Sequence, residues 1–340
     1  MKPLQNWLSD LKLRVSYGVN GTLPSSYYGY MGLSSLTSNY NDNPGITQSQ
    51  LENKELTWET NYNFNSGIDL GFFDNRLNVT FEYYVRTTKN LLYSRPLSLA
   101  TGFSSYLANI GKLQNKGYEL EIRSTNIETK DFRWSTSLNL GHNANKILKL
   151  DGDLKQVTSG TSIHKVGLPY STYYMIEFAG IDPADGEPMF YKNTTDENGN
   201  LNKETTKDPR SAEKVILQCA DPTITGGLGN SISYKWFDLN FNVNFSFGAW
   251  NYDGSASKLE HGGDGTLNIP IYYRKRWQKE GDETSIERFV VGRSISMTDY
   301  ATTRRLYSGD YVRLKNLTFG FTLPKTWTRK VGIDNIRLYA

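Results

Sequence analysis

The chain has 340 residues, of which 37% are hydrophobic, 21% charged and 13% aromatic, with a formal net charge of only +3. That length accommodates one large core or two domains, and no run approaches the ~18 uninterrupted apolar residues that a membrane-crossing helix needs, so a helical membrane protein is excluded. The 38 basic and 35 acidic residues are interspersed and leave no footprint for nucleic acid, while the single cysteine, Cys219, excludes an internal disulfide and a cysteine-based zinc site.

The opening segment MKPLQNWLSD has no apolar core of a secretory leader, so the protein either stays inside the cell or begins upstream of Met1. Pro3 to Asp10 reads as a helical turn or two. From there the sequence alternates with period two, the mark of strands. The first such stretches are Leu11 to Val19, Tyr62 to Phe72, and Leu77 to Arg86, where Leu77, Val79, Phe81, Tyr83 and Val85 oppose Asn78, Thr80, Glu82, Tyr84 and Arg86. Tyr118 to Ser124, Phe132 to Gly141 and Ile224 to Trp236 follow. The clearest run is Phe237 to Ala249, whose apolar residues Phe237, Leu239, Phe241, Val243, Phe245, Phe247 and Ala249 alternate with Asp, Asn, Ser and Gly. Tyr311 to Leu323 changes face midway, which predicts a bulge near Asn316, and Ile333 to Ala340 reads as an unfinished strand.

These runs are long. At ~3.3 Å per residue and a tilt of ~40°, the Phe237 to Ala249 strand rises roughly 33 Å, enough to cross a ~25 Å apolar band. Burying its apolar face is worth on the order of 10 to 20 kcal/mol, so that face meets either lipid or a second protein layer. The connections bear on the choice. Residues 73–76, 127–131 and 235–237 are hairpin-length, whereas Gly21 to Thr60, Lys89 to Leu113, Asn143 to Thr223 and Asn251 to Ser308 are long, polar and rich in turn formers, with short strands expected near Tyr170 to Phe178. Short and long connections alternate, as in an outer-membrane barrel with short periplasmic turns and long extracellular loops. The expected fold is therefore all-β, an antiparallel transmembrane barrel segment of about nine strands with two unpaired edges.

Catalytic signatures are weak. His142, His164 and His261 have no ligand-type partner at helical spacing. Asp182-Pro-Ala-Asp-Gly-Glu187 and Asp196-Glu-Asn-Gly-Asn200 gather oxygen ligands, but Leu201 stands where a calcium loop needs its turn glycine and Lys207 where it needs its last carboxylate. Asx-type turns account for both segments. Gly226-Gly-Leu-Gly229 opens a strand with no lysine after it, and no G-x-S-x-G elbow is present. No catalytic residue, metal or cofactor is expected, and the chain reads as a non-enzyme.

Aromatic clusters in the long connections carry the binding expectation: Tyr27, Tyr28 and Tyr30 in the first, then Tyr252, Tyr272 and Tyr273 in the last, with Trp250 and Trp277 beside them. Flat rings among Asn, Asp and Arg suit stacking on sugars or peptide side chains. Loop packing explains the same tyrosines equally well, and an interfacial girdle explains Trp58, Trp236 and Trp250.

Leu11-Lys-Leu-Arg-Val-Ser-Tyr-Gly18, Gly71-Phe-Phe-Asp-Asn-Arg-Leu77, Asn109-Ile-Gly-Lys-Leu-Gln-Asn-Lys-Gly-Tyr-Glu-Leu120, Gly180-Ile-Asp-Pro-Ala-Asp-Gly186 and Asp310-Tyr-Val-Arg-Leu-Lys-Asn-Leu-Thr318 occur in that order over nearly the whole chain. Together they resemble the C-terminal part of the SusC/RagA-type TonB-linked outer-membrane transporters of Bacteroidetes. The resemblance implies a barrel of about 22 strands around an N-terminal plug, in the outer membrane of a Gram-negative bacterium. It also implies energy from the TonB-ExbB-ExbD complex, a SusD-like surface lipoprotein as lid, and oligosaccharides or peptides as cargo. Against that pattern, residues 1–340 correspond to the C-terminal barrel portion, without counterparts of the signal peptide, accessory domain, TonB box or plug, and they stop before the last strands. The family's ligand contacts sit on no motif present here. Phe241, Phe245, Val79 and Phe81 are expected to face lipid, and Asn240, Asn244 and Glu82 the lumen. The rival readings are a secreted β-sandwich lectin or adhesin and a carbohydrate-active enzyme with a converging carboxylate pair.

Overall fold

The computed structural model describes residues 7–40, 42–150, 154–263, 267–292 and 299–340. Its largest element is a nine-stranded sheet of β1 (Leu8–Thr22), β2 (Glu59–Phe72), β3 (Leu77–Lys89), β4 (Lys112–Glu128), β5 (Phe132–Lys149), β6 (Ile224–Tyr234), β7 (Phe237–Phe247), β8 (Tyr311–Thr322) and β9 (Arg337–Tyr339). Each strand pairs antiparallel with the next in sequence, so the sheet is a plain meander with β1 and β9 at its edges.

The register turns the alternation of each strand into a property of the whole sheet. One row runs Leu13, Ile68, Phe81, Leu120, Leu140, Gly226, Phe245 and Val312 across eight strands, and the next runs Lys12, Asp69, Thr80, Glu121, Asn139, Gly227, Asn244 and Arg313 on the opposite face. Directly paired residues share a face, so along these rows one side of the sheet is apolar and the other polar. The Phe245 ring lies over Gly226, where a Cβ would stand 2.6 Å from it, which keeps the apolar row continuous. Nothing among the described residues covers that face: Phe81, Tyr118 and Leu317 remain 41%, 43% and 57% exposed.

Short links close one end of the sheet. Phe73, Asp74 and Asn75 turn at φ of 53°, 55° and 62°, and Lys235 at 53° in the two-residue link from Tyr234 to Phe237. The left-handed region at these positions supplies the twist that tight hairpins need. The expected change of face is a bulge at Lys315, which has no partner between the pairs Asn242–Asn316 and Val243–Leu314. The link from β8 to β9 is longer and holds a helical turn, Lys325–Thr328.

The long connections, residues 23–58, 90–111, 150–223 and 248–310, all leave the opposite end. They fold into their own small sheets: Leu33–Tyr40 with Asn43–Gln50, Leu92–Pro96 with Ser105–Asn109, and Trp250–Tyr252 with Leu306–Ser308. A four-stranded sheet, Gln156–Ser159, Ser162–Lys165, Thr172–Ile176 and Lys214–Cys219, stands beside a three-stranded one, Phe178–Ile181, Pro188–Tyr191 and Thr205–Thr206. The fully buried apolar side chains, including Ile163, Met175, Ile176, Phe190 and Tyr273, belong to these loops and not to the middle of the sheet.

Two expectations are corrected. The helix over Pro3 to Asp10 is not formed where it can be seen, because Leu8–Asp10 already pairs as β1 against Phe72 and Gly71, while residues 1–6 lie outside the described residues. The β-sandwich alternative requires a second sheet on the apolar face, and the described residues place none there.

Candidate functional site

The polar face of the sheet is wired by side chains from adjacent strands. Arg14 donates twice to Asp69, at 2.9 Å each, and pairs with Glu82 at 2.5 Å, while the Thr80 hydroxyl donates to Asp69 at 3.0 Å. Arg86 Nε donates to Asn63 Oδ1, and Asn63 Nδ2 to Asn20 Oδ1, both at 2.7 Å. Further along, the Tyr84 hydroxyl reaches Asn143 at 3.1 Å and Asn145 reaches Asn115 at 2.8 Å. These groups stay partly exposed, and a face so rich in amides and mixed charge is at home in water, the opposite of what the other face requires.

The loops form the roof above it. The first two are tied together by Asn53 Nδ2 donating to Leu107 O, by Thr57 N donating to Asn109 Oδ1, and by Asn109 Nδ2 donating to Thr57 O, each at 2.8 Å. The last two share a core in which Ile176 and Phe190 pack with Phe178, Ala212 and Tyr300. His164 joins the second loop to the third: it lies 2.7 Å from the Tyr93 hydroxyl through Nδ1 and stacks on Tyr170 at 4.1 Å. Burial pushes the His164 pKa below the ordinary imidazole value and those of Tyr93 and Tyr170 above the phenol value.

The acidic segments are turns, as expected. Asp196 Oδ1 accepts from Asn198 N at 2.9 Å and Asn200 N at 2.7 Å. Lys207 donates to Asp182 and Asp185 at 2.6 and 2.7 Å, and this hydrogen bonding holds both carboxyls below the usual carboxylate range. Glu187 is taken by Arg288 at 2.6 Å, and the Trp277 ring lies over Gly186.

The proposed contact tyrosines separate into groups. Tyr27, Tyr28 and Tyr30 present their rings to solvent at 91%, 61% and 49% exposure. Tyr252 is half-buried in its short ladder, with its backbone N–H donating to the Tyr173 hydroxyl at 3.2 Å. Tyr272 donates to Glu260; burial, then that hydrogen bond, pushes its pKa up to about 12. Tyr273 is corrected: its ring is 1% exposed and its hydroxyl donates to buried Glu287 at 3.1 Å, so it holds the loop together and offers no surface to a ligand. The sequence reading missed this ionic cluster, in which Glu287 also binds Arg304, and Arg305 binds Glu260 at 3.0 Å. Its one signal was the adjacent pair Arg304-Arg305. Among the tryptophans, Trp58 lies against Gly21 at the loop end of the apolar face, and Trp134 and Trp236 lie toward the other end.

A sheet with one wet and one apolar face, closed by tight turns at one end and by folded loops at the other, is the geometry of an outer-membrane barrel wall. The family model described as TonB dependent receptor-like, beta-barrel matches residues 3–336. The chain belongs to this family of TonB-dependent receptors. It is 33% identical over 98% of its length to the TonB-dependent receptor P3 of Formosa agariphila, and 29% identical over 98% to the TonB-dependent receptor SusC of Bacteroides thetaiotaomicron, covering 34% of each. It superposes with a TM-score of 0.79 on the structure of the RagAB peptide transporter, at 30% identity, covering 98% of this chain and 37% of that one. The chain thus spans about a third of the length of the curated relatives it matches. Members of the TonB-dependent receptor family are outer-membrane β-barrels of Gram-negative bacteria that act as receptors and transporters, not enzymes.

Proposed function

We propose that this chain supplies barrel wall and extracellular loops to a TonB-dependent importer of oligosaccharides or peptides in a Gram-negative outer membrane. The observation that carries the reading is the apolar row that runs across eight paired strands and that no described residue covers. Hydrocarbon accommodates such a face while the opposite one stays hydrated. The cargo class follows the named relatives, one a SusC and one a peptide transporter. Tyr27, Tyr28 and Tyr30 are the contacts we assign to it first, with Tyr252 and the exposed edge of Tyr272 behind them. Passage requires energy from a TonB-ExbB-ExbD complex and a surface lipoprotein of the SusD type closing the loop end, both acting on the longer protein.

Nitroxide labels at Phe241→Cys and Asn242→Cys of the full-length protein in bilayers test the wall. The 241 label should respond to a lipid-soluble quencher and the 242 label to a water-soluble one; identical responses refute the assignment. Uptake of labelled peptides and oligosaccharides by cells carrying Tyr27→Ala, Tyr28→Ala and Tyr30→Ala together then decides the cargo.

A further inference from the structure

The outward face is not apolar to its rim. Above the ring row Tyr83, Tyr118 and His142, the register places Val85, Lys116 and Ala144, then Thr87, Gln114 and Lys146, then Lys89, Lys112 and Lys149. Pairing keeps these residues on the face that lower down carries Phe81, Leu120 and Leu140, with Lys149 reached across a bulge at Leu148. Lys89 extends its ammonium over the outward ring of Tyr62, 4.4 Å from the centroid. The basic rows are confined to β3, β4 and β5: at the same end of β6, β7 and β8 the outward residues are Ile224, Phe247, Phe245 and Val312.

Three lysines directly opposite one another on neighbouring strands repel. None of Lys89, Lys112, Lys116 and Lys146 has a carboxylate partner among the described residues. Successive outward rows stand ~7 Å apart along the strand, or ~5 Å in height at a ~40° tilt. The lysines therefore begin just above the ring row and extend through the headgroup layer. Their stems lie along the apolar rim and carry the charges outward.

We propose that this patch binds the phosphorylated headgroup of an outer-leaflet glycolipid. The inference rests on the barrel-wall reading, which puts the loop end at the outer leaflet. Charge complementarity selects a phosphate, and the side chains interleaved with the lysines select a sugar carrier. Thr60, Thr87 and Gln114 offer hydroxyl and amide groups on the same face, and the rings of Tyr62 and Tyr118 flank them below.

The test uses the full-length protein in nanodiscs, with lipid A as the probe and native mass spectrometry to count lipid retained through detergent exchange. The variant Lys89→Gln/Lys112→Gln/Lys116→Gln/Lys146→Gln should retain lipid A at least about tenfold more weakly, and dephosphorylated lipid A should bind the wild type as poorly. Retention should also fall as salt is raised. The control Lys130→Gln/Lys235→Gln, at the short turns, should match the wild type. Equal retention by the four-lysine variant overturns the proposal, as does equal competition by phosphatidylglycerol, or a change in oligomeric state with lipid A retention intact. Heat-modifiable migration and bilayer insertion are scored in parallel. Insertion with unchanged retention defeats the lipid site alone, whereas failure of the wild type to insert defeats the barrel-wall reading beneath it.

Discussion

Phe241 and Asn240 are neighbours in sequence, and the structure predicts opposite consequences for the same substitution. Phe241 pairs with Asn230 and Leu317 on the apolar face, four residues from Phe237 and six from Phe247. At ~3.3 Å per residue and ~40° tilt this puts it about 10 Å from one end of a ~25 Å band, close to the midplane. Phe241→Arg should cost about 2–4 kcal/mol for the guanidinium in hydrocarbon, and about 1.5–3 kcal/mol more for the ring's lost burial. Asn240 pairs with Ser231 and Thr318 on the wet face and donates to Asp238 at 3.1 Å. Asn240→Arg exchanges that bond for a charge beside the same carboxylate and should change stability by less than ~1 kcal/mol. Denaturant unfolding of the full-length protein from lipid vesicles measures both. Equal costs, or a larger cost at 240, would refute the assignment of faces.

Two further predictions concern the loops. Tyr273→Phe removes the hydroxyl that donates to fully buried Glu287, leaving that carboxylate short of a partner, and should destabilise the last loop by about 1–3 kcal/mol. Faster hydrogen exchange over residues 271–290, with none at the β2–β3 pairing, is the expected result, and uniform exchange would count against it. Asp182 and Asp185 are held below the ordinary carboxylate pKa by Lys207, so their contribution is fully present above their unfolded pKa and is lost as pH falls through the lowered values. Exchange near residues 182–187 should accelerate on acidification below about pH 4, and Lys207→Met should weaken that dependence, leaving the part set by the backbone N–H groups of Ala184 and Glu187; an unchanged profile in the variant refutes the link.

The strands were legible because each face of the wall meets one environment along its length, so alternation survives wherever the chain crosses the apolar band. It fails where both faces are wet. Tyr118 to Ser124 was all that the pattern marked of a strand running Lys112–Glu128, and Phe132 to Gly141 of one running to Lys149. The missing turns of sequence are those with Lys116, Gln114 and Lys146 outward and Asn115 and Asn145 inward, polar on both sides. The loop core was illegible for another reason: Ile163, Met175 and Phe190 sit in strands of four or five residues, too short for a period to register. Of the six tyrosines proposed for a ligand, Tyr273 could not be told from its neighbour Tyr272 by type or spacing, because the partner that buries it, Glu287, comes from a segment fourteen residues on.

The same distribution of burial explains how the two parts divide the work. A sheet whose apolar face is uncovered has no protein core to hold it flat, so its cohesion comes from backbone ladders and from the solvent on each side. The loops carry the opposite arrangement: their shared apolar residues and the His164–Tyr93 contact fix them against one another, and the Glu287–Arg304 and Glu260–Arg305 pairs hold the last loop together, without help from lipid. Rigid loops can hold exposed rings such as Tyr27 and Tyr28 at set positions over the lumen end, as recognition demands. Order in the loops is costly and locally specified, while cohesion of the wall follows from keeping one face dry and the other wet.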